Sequence, residues 1–167
     1  PILLDLGTGS GCIAVSIAKQ RPQALLVAVD ASPAALAIAR ANAARHQIAN
    51  LEFVASDWFG ALRGCRFDLI VANPPYVADG DPHLAQGDLR FEPQHALVAG
   101  PSGLECIRRI VAGAPQHLEP GGWLAFEHGH DQGHRCRELL EQHGWMKMFS
   151  RSDFAGIERI SGGRRGT

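Results

Sequence analysis

The run Asp5-Leu6-Gly7-Thr8-Gly9-Ser10-Gly11 decides how this chain folds. Before it stands a short apolar run, Ile2 to Leu6, of the kind that forms a buried strand. After it comes Cys12 to Gln20, where Ile13 and Ile17 stand four apart beside small Ala14 and Ala18, which predicts a helix. Strand, glycine turn and helix in that order form the unit that binds nucleotide-like ligands at the carboxyl ends of an open α/β sheet. Glycines let the backbone approach a ligand closely, and free N–H groups at the helix start attract its negative groups. A dinucleotide fingerprint reads G-x-G-x-x-G, whereas the glycines here run G-x-G-x-G and position 12 is Cys.

Outward from that turn, strands and helices alternate. Leu25 to Val29 reads as a second strand, closed by Asp30, and Ser32-Pro33 opens a helix with a capping hydroxyl before proline. The alanine-rich segment that follows carries this helix to about His46. Leu51 to Ala55 and Phe67 to Ala72 supply strands three and four. From Asn73 to about Ser102 the chain is rich in Pro, Gly, Asp and Gln without periodicity, as functional loops are. Leu104, Ile107, Ile110, Val111 and Leu118 return to helical spacing, with a kink or an end expected at Pro115. Gly121-Gly122 turns into a strand through Phe126 or Glu127, and a helix from about Gln132 to His143 closes on a left-handed cap at Gly144. Trp145 to Phe149 and Ile157 to Ile160 read as a final antiparallel pair, and Gly162 to Thr167 as a frayed end. The sum is one α/β domain over residues 1–167, with a seven-stranded, mostly parallel sheet ending in an antiparallel strand.

Composition narrows the class. At 167 residues the chain has the length of one domain. Its 16 basic and 17 acidic residues leave a net charge of -1, which argues against an electrostatic grip on nucleic acid or anionic membrane. No apolar run approaches the ~18 residues of a membrane span, and no secretion signal opens the chain. Cys12, Cys65, Cys106 and Cys136 are scattered without a C-x-x-C pair. Three of them sit in segments that read as helix or next to strands, where a free thiol behaves as a small hydrophobe, and a reducing cytoplasm fits them better than a disulfide framework. The chain opens at Pro1 without Met and enters an apolar run at once, as a piece of a longer protein would. His128, His130 and His134 cluster with Glu127 and Asp131, but Gly129 and Gly133 break the segment and no metal is expected. Arg151, Arg159, Arg164 and Arg165 read as a solvated basic end.

Three further groups fall on the ligand edge. Asp30 lies 19 residues beyond Gly11 at a strand end, where a carboxylate can accept both hydroxyls of a ribose. Asp57-Trp58-Phe59 follows the third strand; its indole can cover a base or plug the sheet edge. Asn73-Pro74-Pro75-Tyr76 ends the fourth. Two prolines remove two backbone donors and stiffen the turn, so its carbonyls can face a ligand. The Asn73 side-chain oxygen and the Pro74 carbonyl then make a pair of acceptors suited to a planar NH₂ group, with Tyr76 against its flat face.

This set resembles the Rossmann-like class I S-adenosylmethionine-dependent methyltransferases that modify amino groups conjugated to planar systems. Asp81-Pro82-His83-Leu84, Gln86 to Pro93, Ala96 to Ala99, and Gly121-Gly122-Trp123-Leu124 running into Glu127-His128-Gly129 are similar, more narrowly, to the release factor glutamine methyltransferases. The resemblance covers nearly the whole chain. It implies S-adenosylmethionine on Asp5, Gly7, Thr8, Gly9, Ser10, Gly11, Asp30, Asp57, Trp58 and Asn73, with S-adenosylhomocysteine as product. Gly7–Gly11 would meet its methionine part, Asp30 its ribose and Trp58 its adenine region. Asn73 and Pro74 would be catalytic, holding a glutamine side-chain amide, with Pro75 and Tyr76 completing the substrate site. No acid or base is implied, since the proton can leave after methyl transfer. The implied partners are peptide chain release factors, with no nucleic acid, no membrane and a monomeric state. Ribosomal-protein glutamine and exocyclic amino groups of RNA or DNA bases are the alternative substrates. His130 departs from the aromatic residue usual in that family, and nothing in the chain corresponds to its N-terminal helical docking domain.

Overall fold

The computed structural model describes residues 1–77 and 100–166. The motifs between Asp81 and Ala99 lie outside the described residues. Strand β1 (Ile2–Leu6) is apolar but for Asp5 and buried except at its first residue, as a central strand is. It pairs in parallel with β2 (Leu25–Asp30) on one side and β4 (Phe67–Ala72) on the other. Adding β3 (Leu51–Ala55), β5 (Leu118–Glu127), β6 (Met146–Ser152) and β7 (Glu158–Arg164) gives seven strands in the order β3-β2-β1-β4-β5-β7-β6. Only β7 runs against its neighbours, pairing antiparallel with β5 and β6. The strand order reverses between β1 and β4, the position where open α/β sheets leave a crevice.

Helix α1 (Cys12–Gln20) and α2 (Pro33–Arg45) connect β1 to β2 and β2 to β3. Helices α3 (Glu105–His117) and α4 (Gly133–Gln142) follow β4 and β5. The larger core packs Leu4, Leu6, Ile70, Leu124 and Phe126 of the sheet against Ile107, Ile110 and Val111 of α3 and Leu140 of α4. The smaller one joins Leu3 and Leu26 to Ala18 and Ala24. Ser32 caps α2 as its sequence predicts, accepting from the Ala35 N–H at 3.2 Å.

Several expectations need correction. Of the kink or end expected at Pro115, the end is not found: helix α3 runs to His117. Proline denies the Val111 carbonyl its helical donor, and the Trp145 indole N–H donates to that carbonyl instead, at 3.3 Å. Strand β5 starts at Leu118, before the Gly121-Gly122 pair; its register slips between the Phe67–Leu118 and Leu69–Trp123 pairs. The glycines occupy this bulge, Gly121 at φ +79°. The expected frayed end is strand: β7 continues through Gly162 and Gly163 to Arg164. Nor is the basic end merely solvated. Arg164 Nε donates to the Gly121 carbonyl at 2.8 Å, the Arg165 backbone N–H to Gly122 at 2.8 Å, and the Arg165 guanidinium to Leu118. Carbonyls freed by the bulge thus find their donors in the C-terminal residues. Arg159 pairs with Asp153 at 3.1 Å, and Arg151 lies over the Phe149 ring. All four cysteines are free, but Cys12 and Cys65 are exposed; only Cys136 is fully buried, its thiol pushed up to about 12 by desolvation.

Gly162 has no room for a side chain: a Cβ there would meet the Leu124 carbonyl and, at 2.7 Å, the Phe149 ring. Gly162→Ala is expected to cost about 3 kcal/mol in urea unfolding. Gly144→Ala, strained only by its positive φ, is expected to cost about 1 kcal/mol in the same measurement.

Candidate cofactor and substrate site

Parallel registers bring the predicted residues to one level. Leu6 pairs with Val29 and with Ala72, so Gly7, Asp30 and Asn73 leave adjacent strand ends side by side. Asp30 pairs with Ala55, which puts Ser56 and Asp57 next in line. Ala72 pairs with Phe126, which puts Glu127 on the opposite flank.

The glycine turn is built as its sequence requires. Gly7, Gly9 and Gly11 hold φ of +68°, +56° and +81°. Gly11 also has no room for a side chain, since a Cβ would stand 3.0 Å from that of Ala39 on α2. Gly11 gives helix α1 no side-chain cap, and within the first turn the Ala14 N–H is taken by Asp5. Asp30 braces this arrangement: its Oδ2 accepts from the Gly9 N–H at 2.9 Å and its Oδ1 from the Ser32 N–H at 2.8 Å. A carboxylate has about four acceptor positions, so hydroxyl donors can still be taken.

Asp5 lies beneath the turn, 2% exposed. Its Oδ2 accepts from the Thr8 hydroxyl at 2.7 Å and the Ala14 N–H at 3.2 Å. Its Oδ1 is buried with no hydrogen-bond partner. Desolvation pushes this carboxyl up to about 6, against the lowering effect of its Thr8 and Ala14 bonds. A buried acceptor left open beside a glycine turn and an uncapped helix start fits a ligand bearing N–H or cationic groups.

Trp58 takes a positive φ of 50°, and its ring edge lies 3.9 Å from where a Gly7 side chain would begin. The indole thus borders the glycine turn. Ser56 fixes this bend, donating from Oγ to the Trp58 carbonyl at 2.8 Å and accepting from the Ala61 N–H at 3.0 Å. Asp57 is exposed and pairs with Arg109 of α3 at 3.0 Å, and the same guanidinium stands 5.9 Å from the Trp58 ring centre. Asp57, Trp58, Phe59, Arg63, Arg109 and His117 line an open hollow of about 390 Å³. Arg109 was not foreseen from the sequence, where it is one of several polar residues on a helix.

In the Asn73–Tyr76 turn, Asn73 is exposed at the strand end, Pro74 is buried, and Pro75 and Tyr76 are half-buried. The Tyr76 hydroxyl donates to Glu127 Oε1 at 3.1 Å, and its carbonyl accepts from Gln132 Nε2 at 2.9 Å. Gln132 was likewise not singled out in the sequence. His128 is a core residue: it is fully buried, with Nδ1 2.9 Å from the Gly129 carbonyl and Nε2 2.9 Å from the Ser161 hydroxyl. Among the described residues no three His, Cys, Asp or Glu side chains group to hold a metal ion.

This sheet order, with its glycine turn at the strand reversal and its antiparallel β7, is the class I methyltransferase fold. A methyltransferase from Pyrococcus furiosus superposes with a TM-score of 0.73 at 19% identity, over 99% of this chain and 75% of that one. A T. thermophilus 16S rRNA N2 G1207 methyltransferase in complex with AdoMet and guanosine gives 0.70 at 22%, over 98% and 37%. The sequence model of the methyltransferase small domain family matches residues 2–90, and the chain belongs to that family. It is 53% identical over 160 residues to a release factor glutamine methyltransferase of Xylella fastidiosa, covering 96% of this chain and 58% of that protein. To one of Bordetella pertussis it is 56% identical over 164 residues, covering 98% and 60%. The chain therefore resembles the release factor glutamine methyltransferases while spanning about three fifths of the length of these relatives.

The Asp5 carboxyl sets a pH dependence. Burial favours its protonated form, so its contribution to stability is full below the ordinary carboxylate range and is lost as pH rises through about 6. Asp5→Asn removes this titration. Unfolding free energies of the two proteins are expected to shift relative to each other by about 3 kcal/mol, in favour of the variant, from about pH 3 to about pH 8. A constant difference across that range would contradict the assignment.

Proposed function

We propose that this chain is the catalytic portion of an S-adenosylmethionine-dependent methyltransferase. In this reading it methylates the side-chain amide nitrogen, N5, of the glutamine in the Gly-Gly-Gln motif of peptide chain release factors. One observation carries it: the sheet register sets the glycine turn, Asp30 and the Asn73–Tyr76 turn side by side on the carboxyl edge. The similarity to release factor glutamine methyltransferases over 96% of the chain supports the choice of substrate.

The residues present fit the cofactor. The turn from Gly7 to Gly11, the uncapped start of α1 and the open Oδ1 of Asp5 suit its amino-acid end. Asp30 suits the ribose hydroxyls, and Asp57 and Trp58 the adenine. When bound, S-adenosylmethionine supplies an electrophilic methyl group on a sulfonium.

The protein's own part is orientation. An amide nitrogen is a poor nucleophile because its lone pair is shared with the carbonyl. Accepting its two N–H bonds at the Asn73 side-chain oxygen and the Pro74 carbonyl favours a more tetrahedral nitrogen and aims it. Holding two reactants in line is worth about 7–11 kcal/mol of barrier in favourable cases. The developing positive charge on nitrogen is met by these same two acceptors. The proton leaves after methyl transfer, so no side chain is assigned as acid or base. Base amino groups could use the same turn, but the net charge of -1 gives little hold on a nucleic acid.

Asn73→Ala is expected to lower methyl transfer to release factor by about 100-fold or more, with calorimetric S-adenosylhomocysteine affinity within a few-fold of wild type. Asp30→Ala should show the opposite bias, weakening cofactor binding by about 10-fold or more. Mass spectrometry of the glutamine after incubation with release factor, with RNA and DNA as parallel substrates, tests the reading itself. Methyl label on nucleic acid alone would overturn it.

A further inference from the structure

Resting on the reading that the Asn73–Tyr76 turn receives the substrate amide, we propose that Gln132 is the positioning residue that holds this turn at its working level. The turn has little hold on itself. Pro74 and Pro75 have no N–H to donate, so two successive residues contribute no backbone donor. Support must come from outside.

The Gln132 side chain is 7% exposed and bonds to three separate stretches of backbone. Its Nε2 donates to the Tyr76 carbonyl at 2.9 Å and to the Gly103 carbonyl at 3.3 Å. Its Oε1 accepts from the Gly129 N–H at 2.8 Å. Tyr76 and Gly103 flank the intervening residues 77–102, so one amide group ties both ends of that stretch to the loop after β5. A carboxamide offers two donors and one acceptor oxygen, and no ionised side chain offers both.

The base of this clamp is itself fixed. The Gln132 backbone N–H donates to the Gly129 carbonyl at 3.0 Å, closing a reciprocal pair with the Oε1 bond. The same carbonyl lies 2.9 Å from His128 Nδ1, whose other ring nitrogen meets Ser161 on β7. A Cβ on Gly129 would stand 3.1 Å from Gln132 Oε1 and would press on the amide. The line of contacts from β7 through His128 and Gly129 to Gln132 and Tyr76 makes the substrate turn's position depend on the antiparallel end of the sheet. Glu127, bonded to the Tyr76 hydroxyl at 3.1 Å, secures the side chain of the residue whose backbone Gln132 secures.

Two variants of this chain separate positioning from general stability. Gln132→Met keeps the volume and removes every side-chain bond. Gln132→Glu, studied at about pH 8 so that the carboxylate is ionised, keeps the acceptor for Gly129 and removes both donors. Hydrogen exchange is expected to quicken at least tenfold at the amides of Tyr76, Val77, Gly103 and Leu104 in both variants. Rates in β1 and α1 should stay unchanged, and S-adenosylhomocysteine affinity within twofold. With release factor as substrate, kcat is expected to fall tenfold or more in both. Unchanged exchange at the flanks, loosening in the Met variant alone, or faster exchange spread equally into β1 would each overturn the proposal, as would a normal kcat with loosened flanks. The exchange arm needs no activity. Should the wild-type chain methylate no release factor, the functional reading fails while the clamp is still decided by exchange.

Discussion

Everything at the functional edge depends on the double pairing of β1. A strand buried on both faces and bonded in parallel on both sides has no freedom of register, because a one-residue slip would turn its side chains to the wrong faces. Leu6 is therefore locked opposite both Val29 and Ala72. Three turns emerge from three adjacent strands at a common height, and their chemistry becomes additive. The backbone N–H groups come from the first turn, the Asp30 carboxylate from the second, and the carbonyls of the Asn73–Tyr76 turn from the third.

The sheet and most of the site could be read in the residues, for physical reasons. Buried parallel strands are continuous apolar runs, and Ile2–Leu6 and Phe67–Ala72 leave little choice. Ser32 before Pro33 marks a helix start by local chemistry alone. The glycine turn and the Asn73–Tyr76 turn are local too, so spacing was sufficient to find them. What stayed hidden is non-local. Nothing in the order of residues shows that Trp145 supplies the donor Pro115 withholds, or that Arg164 and Arg165 serve the carbonyls around Gly121. The tail therefore looked loose when it is a strand. Arg109 and Gln132 escaped for the same cause: a polar residue on a helix gives no sign of what it reaches, and only the packed fold brings each to the site.

Asp5, a buried carboxyl with a raised pKa, sits under the glycine turn, away from the Asn73–Tyr76 turn. His128 is committed on both ring nitrogens to Gly129 and Ser161. In the proposed reading the site works by geometry, so its sensitive parts are those that hold backbone in place.

The Trp145–Val111 bond has a mechanical consequence. A helix end is ordinarily free to unwind by a turn without disturbing its neighbours. Helix α3 has instead lent one of its rungs to the residue preceding β6, so unwinding that end would have to pull on the sheet's edge hairpin. The proline that should have been a weak point couples helix and hairpin into one cooperative unit.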